Sequence, residues 1–187
     1  PALLITPEGH ALVVAQKGRL RTATLAEAAT WLPLIEAVPG VRAVSPQITG
    51  AGFLTRGAQV SQVSLTGVEP GRESAILDLD GYMVEGTARL GSGLILLGRD
   101  LADELALGLG QSLRVQSSNG VTSVLTLSGV FETGNGGLDG ARAFVALSTA
   151  RTLFALPQGV TRIEIKLDDL NDADATALAL AHQREAR

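Results

Sequence analysis

The chain has 187 residues, 45% of them apolar and only 3% aromatic, with a formal net charge of −4. That length and apolar content predict one packed domain or two small ones, cored by Leu, Val, Ile and Ala, and exclude a disordered segment. With no Lys/Arg cluster, nucleic acid is excluded as the main partner; with no cysteine, so are disulfides, thiol catalysis and most structural zinc sites.

No stretch approaches the roughly 18 apolar residues of a membrane span, and the start carries no basic and apolar pattern of a signal peptide. The chain opens in mid-pattern at Pro1-Ala2-Leu3 and stops in Arg184-Glu185-Ala186-Arg187. It reads as a segment of something longer, with any membrane parts outside it.

In chain order, residues 10–17 read as a strand. Residues 24–38 carry helical spacing at Leu25, Ala28, Leu32 and Ile35, with Thr24 and Glu27 placed for a capping box and Pro39-Gly40 as the stop. Pro33 kinks this helix or restarts it. Residues 41–56 and 58–70 are two strands joined by a turn at Arg56-Gly57-Ala58-Gln59, with Val63, Leu65 and Val68 inward. Residues 71–93 lose the pattern and leave room for one short helix or strand. Residues 93–98 are a buried strand. Leu97, Leu101 and Leu105 then mark a helix over 99–107, with Asp100 as cap and Gly108 as left-handed stop. Residues 111–118 and 122–132 form a hairpin around Asn119-Gly120. A strand over 141–148 leads to a helix over 149–156 capped by Ser148. Residues 160–169 alternate, with Ile163, Ile165 and Leu167 inward and Arg162, Glu164 and Lys166 outward. Asn171 or Asp172 caps a last helix. The result is α+β, βαββαβ-like material at both ends around an inserted middle.

Four glycines fall in residues 134–140, Gly-Asn-Gly-Gly-Leu-Asp-Gly. A dinucleotide fingerprint needs glycine where Asp139 stands and a helix next. Here a strand is expected next, so no helix dipole faces a phosphate. Gly134, Asn135, Gly136, Gly137 and Gly140 read as a connection between strands, with contact to a partner as the other reading. His10 and His182 fall in no triad or metal motif. Asp168, Asp169, Asp172 and Asp174 lack the glycine and closing Glu of a calcium loop and read as an acid-rich helix start. Asp78 and Asp80 are paired carboxylates with no further support for glycoside hydrolysis. No catalytic, cofactor or metal residue is assigned.

The motif order is more telling. "LIEAVPGVRAVSPQITGAGFL", "VSLTGVEP", "LGRDLADELALGLGQSLRV", "LSGVFETGNGGLDGARAFVALSTARTLFAL" and "VTRIEIKLDDLNDAD" together resemble the extracytoplasmic domain of MacB/LolC/LolE/FtsX-type ABC transporter permeases, over residues 2–175. The resemblance implies a porter-like subdomain built from residues 1–70 and 143–187, split around an inserted, sabre-like subdomain at 71–142. It implies a position between two membrane helices on the periplasmic face of the inner membrane. The partners it implies are an ATP-binding cassette ATPase carrying the catalysis, a second permease protomer, and a periplasmic protein or lipidic substrate. Lipoprotein-releasing members carry a proline-containing hook between the two hairpin strands; here the connection is only residues 116–123, Gln-Ser-Ser-Asn-Gly-Val-Thr-Ser, a tight turn with no proline. Asn119 and Gly120, with Gly134–Gly140, are the contact candidates. Gly134–Gly140 is also the expected hinge from the inserted part back to the outer one. Two other classes stay open: a free, non-catalytic module binding a lipid, peptide or envelope protein, and an enzyme built on the acidic pairs.

Overall fold

A computed structural model describes residues 2–5, 10–14, 32, 33, 35–72 and 79–167. The Thr24–Glu27 box, Asp78, Asp168 to Asp174, His182 and the last helix lie outside the described residues, as does the His10 side chain. The chain divides into an outer unit, residues 1–47 with 158–187, and an inner unit, residues 48–157.

In the outer unit, strands β1 (Ala2–Ile5), β2 (His10–Val14), β10 (Arg162–Leu167) and the first part of β3 (Val41–Arg56) lie in the order β1–β2–β10–β3, all antiparallel. Ile163 pairs with Pro46 and Ile165 with Val44. Ile163, Ile165 and Val44 are buried, as are Ile35 and Val38 from the helical turn before β3. Pro33 C=O accepts from Ala37 N–H at 3.2 Å, so the turn continues past the proline. It ends where expected: Gly40 adopts φ +86, a left-handed conformation suited to glycine.

Glu164 departs from expectation. It is buried, not outward, and its carboxylate accepts from Gln47 Nε2 at 2.6 Å, with Ser45 and Gln47 also buried. Alternation assigns residues to two faces; it does not say whether the second face is covered.

The inner unit is built on the rest of β3 with β4 (Gln59–Val68), β6 (Leu94–Gly98), β7 (Ser112–Ser117), β8 (Thr122–Phe131) and β9 (Arg142–Ala146). β3 lies beside β4, β4 is parallel to β9, β9 antiparallel to β6, and β6 parallel to β8. β8 is antiparallel to β7, and β7 pairs back onto β3 through Gly52–Thr55. The circuit closes into a six-stranded barrel, which removes the long free edges of an open sheet. Leu54, Leu65, Ile95, Val115, Leu127 and Val145 fill its inside and are all buried. The registers place them on one face: Leu54 opposite Val115, Ile95 opposite both Leu127 and Val145.

This barrel moves the expected boundaries. The divisions fall at 47/48 and 157/158, not at 70/71 and 142/143. β4 and β9, assigned to the outer part from sequence, are barrel staves paired in parallel, a contact between residues about 80 positions apart that local pattern does not reveal. The weakly patterned middle forms a short helix α1 (Leu79–Tyr82) and strand β5 (Met83–Gly86). They cover the outer side of the barrel, where Val68, Leu79, Leu90, Leu96, Phe131 and Phe144 cluster. The Phe131 and Phe144 rings meet edge-on with centroids 5.5 Å apart.

Three further short helices follow strands: α2 (Arg99–Glu104), α3 (Gly136–Asp139) and α4 (Leu147–Leu153). Neither expected cap holds. Gly98 caps α2 and Ala146 caps α4, both without a side-chain bond, so Asp100 and Ser148 lie inside the helices. Gly108 is not the stop either. α2 turns at Ala106, φ +47, with Leu107 N–H donating to Ala102 C=O at 2.9 Å and Ala106 N–H to Asp103 C=O at 3.0 Å. α4 ends the same way at Ala155, φ +53, with Leu156 N–H on Arg151 C=O at 2.9 Å. Both are Schellman motifs with alanine where glycine is usual. Ala106→Gly relieves about 1–2 kcal/mol of left-handed strain and gives back roughly 0.4–1 kcal/mol of chain entropy. Its denaturation midpoint rises by the equivalent of about 0.5–1 kcal/mol at unchanged m; a lower midpoint contradicts the strain argument.

Candidate functional site

The two contact candidates from the sequence stand at opposite ends of one strand. Asn119-Gly120 precedes the ten residues of β8 and Gly134–Gly140 follows them, a separation of about 30 Å. They cannot form one site.

At the first end, residues 118–120 make a three-residue loop. Gly120 N–H donates to Ser117 C=O at 2.9 Å, and Gly120 takes φ +84, the left-handed position that closes such a hairpin. Asn119 is anchored: its Nδ2 donates to Phe154 C=O at 3.0 Å, while Ser118 N–H donates to Ala51 C=O at 3.0 Å. The tip is exposed, but its base is tied to the end of α4 and to β3.

At the second end, the glycine-rich segment is a knot rather than a slack loop. Asn135 caps α3, its Oδ1 accepting from Gly137 N–H at 3.0 Å. Asp139 is buried and its carboxylate gathers three donors: Thr133 N–H at 2.9 Å and the Thr133 hydroxyl at 2.8 Å on Oδ1, and Gly134 N–H at 3.0 Å on Oδ2. Gly134, φ +77, supplies the turn, and Gly140 ends α3 with its N–H on Gly136 C=O at 2.9 Å. The knot sits inside the inner unit and joins β8 to β9, so it is not the crossing between the two units. From sequence, Asp139 serves only to exclude a dinucleotide fingerprint; in the structure it organises the segment. The one signal for it was Asn135, a capping type four residues earlier.

Beside the knot, Arg99 Nη1 lies 2.6 Å from Glu85 Oε1 and 3.8 Å from Asp103 Oδ1. The Glu85 hydrogen bond raises the guanidinium pKa further above its already high value, so this contact carries no pH switch. Asp80 is exposed on α1. Among the described residues no three His, Asp or Glu side chains converge on a metal position, and no helix is long and apolar enough to cross a membrane.

The profile of the MacB-like periplasmic core domain family matches residues 3–183. The chain belongs to that family. A lipoprotein-releasing system transmembrane protein LolC from Neisseria meningitidis serogroup B is 26% identical over 153 residues, 75% of this chain and 37% of its own length. The chain thus spans little more than a third of that relative. Among solved structures, the extracellular domain of the noncanonic ABC-type transporter YknZ from Gram-positive bacteria superposes with a TM-score of 0.66 at 14% identity, covering 92% of this chain and 90% of that one. The periplasmic region of MacB from Actinobacillus actinomycetemcomitans gives 0.65 at 14% identity, covering 95% and 82%. The fold is therefore the α+β fold of MacB-type periplasmic domains, and the family is one of transporter permeases, not of catalysts.

Proposed function

We propose that this chain is the extracytoplasmic part of an ABC transporter permease that passes movement, driven by ATP hydrolysis in the cytoplasm, to a substrate or partner outside the inner membrane. The family match across residues 3–183 carries this reading. The closed barrel adds a stiff body suited to transmitting displacement rather than absorbing it.

In this reading the ATPase is a separate subunit or domain, and a second permease protomer completes the assembly. The cargo is a lipidic or protein molecule at the outer surface of the inner membrane. The Neisseria relative is named for releasing lipoproteins. The three-residue loop at Ser118–Gly120, tied at its base, provides no hook of the kind associated with lipoprotein-releasing members, which weighs against cargo transfer through that contact.

The test is made on the full-length permease with its ATPase in lipid vesicles, spin-labelled at the exposed β3–β4 turn through Ala58→Cys. ATP shifts the distance distribution between the labels of two protomers, and a hydrolysis-deficient ATPase abolishes the cycling. An unchanged distribution during turnover overturns the reading.

A further inference from the structure

One stretch of the barrel lacks its neighbouring stave. In an antiparallel pair, successive residues point their backbone groups alternately toward the partner and away from it. Ser117 N–H donates to Val121 C=O at 2.9 Å and Leu127 N–H to Gln111 C=O at 2.9 Å. The odd residues of β8 therefore face β7, and Thr122, Val124 and Thr126 face the other way. Thr126 is served, its N–H donating to Gly93 C=O at 2.8 Å. β6, however, begins only at Leu94, opposite Thr126. Among the described residues nothing bonds the N–H or C=O of Val124 on that side, and its side chain is 67% exposed.

Across from this bare stretch stands α4. Between them lies an open depression of about 360 Å³, lined by Ser92 and Gly93, by Ser123 to Leu125 of β8 and by Ser148, Thr149 and Thr152 of α4, with no charged residue. The depression offers strand-spaced backbone donors and acceptors on one wall and neutral hydroxyls on the others.

We propose that this groove holds an extended, uncharged segment of a partner protein, added to β8 as a short strand where β6 stops. Backbone N–H and C=O in strand spacing are matched by another extended backbone. The hydroxyls then take up the polar groups on the guest's far edge. A charged guest would lose hydration without gaining a counter-charge, and a hydrocarbon guest, having no peptide backbone, would leave the hydroxyls and the Val124 amide unpaired. The free edge, Thr122 to Leu125, accepts a guest of about four residues, roughly 13 Å of chain. The site stands whether or not the chain drives transport.

The probe is the peptide acetyl-Ser-Val-Thr-Val-Ser-amide, compared with the same peptide N-methylated at alternate residues. Binding to this chain is followed by titration and by hydrogen exchange of the Val124 amide. Exchange at Val124 slows with the plain peptide, and the N-methylated peptide binds at least about tenfold more weakly. Val124→Pro removes only the groove-facing donor, because the β7 bonds use its neighbours, and it weakens binding by a similar factor. Thr149→Trp, which fills the groove from α4 without touching β8, does the same and serves if the proline variant fails to fold. No binding by the plain peptide, or undiminished binding to Thr149→Trp, overturns the proposal. So does a wild-type dimer that Val124→Pro converts to monomer, because the groove's occupant is then a second copy.

Discussion

Asp139→Ala lowers stability by about 3 kcal/mol, a fall in Tm of roughly 6–12 °C for a chain of this size. The carboxylate is buried and holds two backbone N–H groups and one hydroxyl between β8 and α3. Removing it leaves those donors short of an acceptor, at about 1–3 kcal/mol each when fully desolvated and less where water enters. Asp139→Asn keeps the volume but offers one acceptor oxygen. The Thr133 pair keeps its partner, Gly134 N–H meets an amide donor, and the loss is about half as large. Gly136→Ala is the contrast. Its added methyl meets only Asp100 Oδ2 at 3.5 Å, so the change stays within about 0.5 kcal/mol. A slack connection would show no difference among the three variants. Thermal and denaturant unfolding of the chain measures it.

That contrast marks where local pattern stops being informative. The strands were legible because buried and exposed residues alternate along β4, β7 and β8, and the hairpin because Asn119-Gly120 has one strong reading. Barrel closure was not, because it rests on β7 returning to β3 across some 60 residues, and no local period encodes a partner at that distance. Ala106 and Ala155 were missed for another reason. Left-handed stops are sought at glycine, yet Leu105-Ala106-Leu107 and Phe154-Ala155-Leu156 each place an apolar residue beyond the turn, and its burial holds an alanine in place at Leu107. The glycine-rich segment misled most. Glycine content speaks for freedom, while the acceptor that cancels the freedom is one aspartate whose burial depends on what packs above it. For the site, the sequence supplied the two loops but not the bare edge of β8, which depends on where β6 begins relative to a strand it meets only in three dimensions.

Gly98→Ala is expected to cost about 3 kcal/mol or more, and for reasons of space alone. Gly98 has φ −65 and ψ 152, which any residue adopts. A methyl on it, however, would lie 2.1 Å from Asp139 C=O oxygen and 2.6 Å from that residue's carbonyl carbon and Cα. These are backbone atoms, so no rotamer change relieves the overlap. Either the end of β6 moves away from Phe131, its partner on β8, or α3 lifts and Asp139 leaves its donors. The second route is cheaper, because it spares the barrel. The two variants then act through the same displaced segment and are not additive: the Gly98→Ala/Asp139→Ala double variant loses less than the sum of the singles, by about 1 kcal/mol or more. Additive losses would mean that the barrel end yields instead. Gly91→Ala controls for glycine replacement itself. Its methyl meets only Leu94 Cδ1 at 3.5 Å, and it leaves stability unchanged or raises it by up to about 1 kcal/mol through the unfolded chain. The close approach at Gly98 therefore explains a glycine at the β6–α2 junction in terms of the neighbouring knot rather than of the backbone it stands in.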